Sequence, residues 1–159
     1  MRVRGAVERA CELDFDAMAA LPGQVDDVSS LVKKRSGAAV KLGAVLARAG
    51  VRAEATHLTV ESADGTFSAS VPLAGVRDVA LLVYREDDEP LSSSKGGPVR
   101  LLIPDAAACR TAEIDTCANV KFVATLTLTV GPGRDTRPAT PRSHKKLHET
   151  PGHEHLDES

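Results

Sequence analysis

The sequence predicts an α+β domain of short strands, followed by an unstructured C-terminal segment. Three observations carry this reading. Helical periodicity is confined to the first fifty residues, strand patterns dominate from Thr56 to Val130, and the composition changes abruptly at Gly131. Helices early and strands late argue for α+β rather than a doubly wound sheet, which would alternate them. At 159 residues the chain is one domain's worth of sequence and is long enough to bury a real core.

Residues 12–22 read as a short helix, with Phe15, Met18 and Ala19 on one face and Pro22-Gly23 as its stop. Gln24 to Val32 reads as extended, because Val25, Val28 and Val32 are β-branched. A second helix is expected from about Val40 to Ala49, where Leu42, Val45, Leu46 and Ala49 recur at helical spacing and Gly50 supplies the stop. Strands follow over Thr56–Glu61 and Phe67–Leu73, joined by an Asp64-Gly65 turn. Val79–Tyr84 reads as a buried strand, Glu86–Pro90 as a polar bend, Ser92–Gly97 as a loop and Val99–Ile103 as a short strand. Val120 to Val130 alternates with period two, with Val120, Phe122, Ala124, Leu126, Leu128 and Val130 on one face.

The folded unit is therefore expected over 2–130. Residues 131–159 hold four prolines, four of the five histidines (His144, His148, His153 and His155), and large apolar side chains only at Leu147 and Leu156. Such a segment buries too little to offset the entropy of ordering itself, so it is read as a solvated, disordered tail, with docking of a protein partner as the alternative role.

Composition excludes several classes. Twenty Lys+Arg against 22 Asp+Glu, with 3% aromatics and no Trp, argues against a nucleic-acid partner. No apolar run is long enough to span a membrane, and no apolar stretch of signal type follows Arg2 and Arg4. Cys11, Cys109 and Cys117 make neither a disulfide framework nor a CxxC pair, which suits a reducing cytoplasm. No metal ligand and no nucleophile–base pair is assigned, and His57 sits at the start of a strand as an ordinary edge residue.

The chemistry-bearing segment is Lys95-Gly96-Gly97-Pro98-Val99-Arg100. Two glycines let a ligand approach the backbone closely. Arg100 at a strand start can grip phosphate oxygens in bidentate fashion, and Lys95 and Lys121 add positive charge. The plainer reading is a Gly-Pro turn with solvated cations. Asp64-Gly65 likewise needs no ligand to explain it, although Asp64 and Thr66 are kept as candidates.

The order of short motifs adds to this. Asp64-Gly65-Thr66, Leu81-Leu82-Val83-Tyr84-Arg85, Glu89-Pro90-Leu91, Lys95 through Pro104, and Asn119-Val120-Lys121-Phe122-Val123 follow one another. Upstream lie Gly5 to Leu21 and Ser36-Gly37-Ala38-Ala39-Val40-Lys41-Leu42, the latter followed by Val45 to Gly50. Taken together over about residues 3–130, this resembles the molybdopterin-binding domain of the sulfite oxidase family. The resemblance implies a sulfite-oxidase-like fold with a mixed β-sheet and short helices. It also implies molybdopterin, the molybdenum cofactor, as ligand, and oxygen-atom transfer to or from a small substrate. It places Arg100, Lys121, Lys95, Gly96, Gly97 and Asp64 around the cofactor, the first three at its phosphate end.

The departures from the family pattern are as informative. The family's molybdenum-ligating cysteine falls within Val25–Arg35, which contains Ser29 and Ser30 but no cysteine. The family's histidine falls on Lys95, its tryptophan on Phe122 and its turn tyrosine on Thr66. The expectation is an oxidoreductase-family domain with an eroded metal site. The alternative is a cofactor-free binding or scaffold protein that keeps the fold.

Overall fold

A computed structural model describes residues 1–32, 35–104 and 120–136. Cys109, Cys117, the four tail histidines and the expected tail from residue 137 onward lie outside the described residues.

Two sheets enclose the core. In the first, β1 (Arg2–Gly5), β2 (Cys11–Glu12), β5 (His57–Ser62), β6 (Ser68–Pro72) and β10 (Val123–Thr129) run in the order β2-β1-β10-β5-β6. Only β1 and β10 are parallel, so this sheet is mixed. The second sheet holds β3 (Gln24–Val25), β4 (Ala38–Lys41), β7 (Leu81–Glu86), β8 (Glu89–Pro90) and β9 (Arg100–Leu102). Strand β7 is its centre, antiparallel to β4, β8 and β9. Short helices α1 (Phe15–Ala19), α2 (Leu42–Ala49) and α3 (Leu73–Val76) fill between them.

Side-chain alternation along β7 divides the interior. Leu82 and Tyr84 enter the main core with Val3, Leu46, Leu58, Leu126 and Leu128. Leu81 and Val83 point the other way, into a smaller cluster with Val28, Ala39, Leu91 and Leu102. Burial on both faces explains the continuous apolar run in this stretch. The smaller cluster forms the apolar wall of the site described below.

Several expected boundaries move, each for a local reason. The helix expected over 12–22 covers only Phe15–Ala19, because Asp14 caps it by accepting from the Ala17 N–H. The extended reading of Gln24–Val32 holds only for Gln24–Val25. Asp27 then caps a single 3-10 turn at Val28–Ser30. The helix expected from Val40 starts at Leu42, since Ala38–Lys41 pairs with β3 and β7.

The largest change is at the last strand. Phe122 adopts φ 56°, and the register shifts between Val123 and Thr125. This bulge breaks the period-two pattern. Val123 turns inward, while Phe122 and Val130 are 36% and 68% exposed. Beyond the expected boundary at 130, residues 133–136 run along β6. Gly133 donates to Ser70 Oγ, Ser68 Oγ donates to the Arg134 carbonyl, and the Thr136 N–H donates to the Ser68 carbonyl.

Candidate anion-binding site

The site forms where two backbone segments cross. A 3-10 turn at Ser93–Lys95 ends at Gly96, whose φ of 92° favours glycine. A Cβ on Gly97 would run into the Leu91 carbonyl, so the chain passes here only without a side chain. The Gly97–Pro98 peptide is cis, and β9 follows. Residues 120–123 cross this stretch through three hydrogen bonds. The Phe122 N–H donates to the Gly96 carbonyl at 2.8 Å, Val123 N–H to Val99 at 2.8 Å, and Leu101 N–H to Val120 at 2.9 Å.

The crossing brings Gly96, Lys121 and Arg100 together. A Cβ built on Gly96 would lie 3.0 Å from Lys121 Cγ and 3.3 Å from Arg100 Cδ. The left-handed backbone of Phe122 is what lets Lys121 sit here while Val123 enters the core. Such a conformation is strained for a bulky residue. It is held on both sides, since the Phe122 carbonyl also accepts from Ala63 N–H at 2.8 Å.

Arg100 is 7% exposed and lines a cleft of about 220 Å³. Arg35, Ser36, Ser94 and Lys95 complete the polar lining, against an apolar wall of Val83, Leu91 and Leu102. An adjoining cleft of about 480 Å³ shares Ser36 and Lys95 and is mostly acidic, with Asp26, Asp27, Glu86, Asp87 and Asp88 around Arg85. Lys95 stands between the two and is paired with Glu86 at 2.6 Å. That lysine and a hydrogen bond from Ser36 hold the Glu86 carboxyl below the usual range.

Asp64 lies in the turn of the β5–β6 hairpin and lines neither cleft. Its carboxylate accepts from Thr66 N–H, Ser62 Oγ and Thr66 Oγ1 at 3.0, 2.8 and 2.8 Å, which holds its pKa down to about 2. Of the sequence candidates, Gly96, Gly97, Arg100 and Lys121 converge, Lys95 borders the cleft in an ion pair, and Asp64 is engaged in its own turn. Sequence reasoning passed over Arg35, Ser94 and Glu86. Glu86, expected within a polar bend, instead ends β7, and Asp87 and Asp88 form the turn at φ 53° and 64°.

At Asp27–Ser30 the polar groups satisfy one another. Ser29 donates to Asp27 Oδ1 through its Oγ at 2.6 Å and its N–H at 2.9 Å, and Ser30 Oγ donates to the Asp27 carbonyl at 2.8 Å. The Ser29 hydroxyl, then its N–H, lowers the Asp27 pKa. Among the described residues no group of three or more His, Cys, Asp or Glu is placed to hold a metal ion. Cys11 sits on β2, in the other sheet.

Two sheets of this topology, with a glycine-lined crossing and a buried arginine beside it, define a sulfite-oxidase-type molybdopterin-binding fold. The chain belongs to the oxidoreductase molybdopterin-binding domain family, which matches residues 29–129. A similar solved structure is the sulfane dehydrogenase SoxCD from Paracoccus pantotrophus, at 22% identity and a TM-score of 0.61. The match covers 83% of this chain but 38% of that one, so the chain spans well under half its neighbour's length. No curated protein matches the chain. Among the described residues no helix is long and apolar enough to cross a membrane.

The residues fit one end of the family's cofactor and not the other. The cleft that Arg100 lines with Arg35, Lys95, Ser36 and Ser94 has the charged and hydroxyl lining that suits a phosphate group. The Asp27–Ser30 turn offers only oxygen donors where a soft thiolate suits molybdenum.

Proposed function

We propose that this chain binds molybdopterin by its phosphate end, and that it is a catalytically degenerate domain of the sulfite oxidase type. The observation that carries this reading is the cleft lined by the buried Arg100 together with Arg35, Lys95, Ser36 and Ser94, next to the crossing where Lys121 packs on Gly96. A guanidinium held at a strand start presents paired N–H donors without reorganising, and a lysine adds a point charge. Ser36 and Ser94 extend the polar lining, while Val83, Leu91 and Leu102 exclude water from one wall.

Loaded with molybdenum, the cofactor supplies oxygen-atom transfer to or from a small substrate such as sulfite, nitrate or a sulfoxide. The chain's own residues supply orientation and charge neutralisation at the phosphate. No side chain of Val25–Val32 supplies a thiolate, so no step is assigned there. A cytoplasmic setting with reduced cysteines accompanies this proposal, as does a protein partner for the segment beyond residue 130.

The test is purification of the untagged chain from a cell that makes molybdopterin. Pterin is measured by fluorescence after oxidation and molybdenum by mass spectrometry. The expected result is pterin near one per chain with molybdenum well below it. Molybdenum equal to pterin would overturn the degenerate half of the proposal. Neither one, from an extract in which another family member loads fully, would overturn the whole and leave the cofactor-free scaffold.

A further inference from the structure

The cleft beside Arg100 is bordered by an anion of the chain's own. Lys95 Nζ lies 2.6 Å from both Oε1 and Oε2 of Glu86, a two-pronged contact. Ser36 Oγ donates to Glu86 Oε2 at 2.9 Å and lies 3.4 Å from Lys95 Nζ. These three residues come from three separate elements: the segment before β4, the end of β7 and the turn before β9. Lys95 and Ser36 line both clefts, whereas Glu86 lines only the acidic one. The Glu86 side chain is 24% exposed and that of Lys95 47%, so the contact is only partly screened by water.

We infer that Glu86 is a built-in counter-anion that limits the affinity of this cleft for phosphate-bearing ligands. It competes for Lys95, and such a ligand must take the ammonium from it. The inference rests on the anion-binding reading above. One ammonium cannot serve a carboxylate and a phosphate at full strength, and the two anions repel each other across it. Apparent affinity is then reduced by the fraction of chains in which Lys95 is released. This reduction falls equally on every phosphate-bearing ligand that needs Lys95, so Glu86 sets the strength of the cleft for the phosphate group itself.

The probe is inorganic phosphate, titrated calorimetrically into the full chain at pH 7.5 and fixed ionic strength. Wild type, Glu86→Gln, Lys95→Ala and the double variant are compared, with folding checked by circular dichroism. Glu86→Gln is expected to tighten phosphate binding about fivefold, the scale of one partly exposed ion pair. That gain should vanish when Lys95→Ala is added. A merely structural ion pair would give the opposite sign, because its loss would loosen the cleft. If Glu86→Gln does not fold, Glu86→Asp shortens the carboxylate's reach and should shift affinity in the same direction. Phosphate binding by wild type that is unchanged or weaker in Glu86→Gln would overturn the role of Glu86 and leave the Arg100 reading standing. Binding by Glu86→Gln alone would support the inference. Binding by no variant would overturn both.

Discussion

Two neighbouring stretches of the molecule handle polar chemistry in opposite ways. Around Gly96–Arg100 and Val120–Val123, the backbone sets the geometry. Glycines let neighbouring groups pack directly on the backbone, and three hydrogen bonds fix the crossing that brings Lys121 and Arg100 together. At Asp26–Ser30, side chains close on one another, with Ser29 and Ser30 both donating to Asp27. On the proposed reading, the contrast teaches why a phosphate end would be kept where a metal end is not. A site written in backbone geometry is tied to folding, since disturbing it disturbs the sheet. The Asp27–Ser30 turn closes through its own side chains and folds without a thiolate.

The comparison breaks most sharply at Gly97. Gly97→Ala drives a Cβ into the Leu91 carbonyl and should destabilise the fold by about 3 kcal/mol, lowering the melting temperature by about 10 °C. Ser29→Ala, at the other end, should shift it by under about 2 °C. Equal effects in thermal melts would remove the distinction between the two ends.

Gly96→Ala is the next probe. Its positive φ and its contacts with Lys121 and Arg100 predict a loss of about 1–2 kcal/mol. Pterin binding should fall further than that stability loss explains, because the new methyl pushes on the stems of Lys121 and Arg100. Retained pterin would place the ligand elsewhere.

Asp64 gives a smaller, pH-dependent effect. Its native pKa of about 2 lies below the ordinary value of 3.8, so its contribution is complete above pH 3.8 and is lost as pH falls through 2. Asp64→Asn should lower the melting temperature by a few degrees at pH 7, and the gap should close on approaching pH 2. Because Asp64 serves the hairpin, pterin content should hold steady. A selective loss of pterin would move Asp64 into the site.

The smallest effect is at Asp27. Ser29→Ala removes the hydrogen bond that lowers its pKa most, so the carboxyl should titrate at higher pH, nearer the ordinary value. An NMR titration reads this directly, and an unmoved pKa would mean that the Ser29 hydroxyl is not what closes the turn.

The family was legible because motif order survives where individual residues do not. Lys95 to Pro104 and Asn119 to Val123 held the right places although a histidine and a tryptophan had been replaced. Strand β5 and the apolar strand β7 were also readable, since burial leaves a direct mark on composition. Strand β1 was not, because Arg2–Gly5 contains one apolar side chain and gains its place from parallel pairing with β10. Nor was the bulge in β10 readable. Phe122 looks like a core residue by period, and its outward turn comes from hydrogen bonds to Gly96 and Ala63, both distant in sequence. The same limit hid Glu86, whose partner lies nine residues away across a turn.

The most direct measurement compares pterin content in wild type and Arg100→Gln, purified in parallel from molybdopterin-producing cells with melting temperatures recorded. If Arg100 grips the phosphate through charge-assisted hydrogen bonds, Arg100→Gln should lose at least about tenfold of its pterin while remaining folded. Equal pterin in two equally folded proteins would contradict the account.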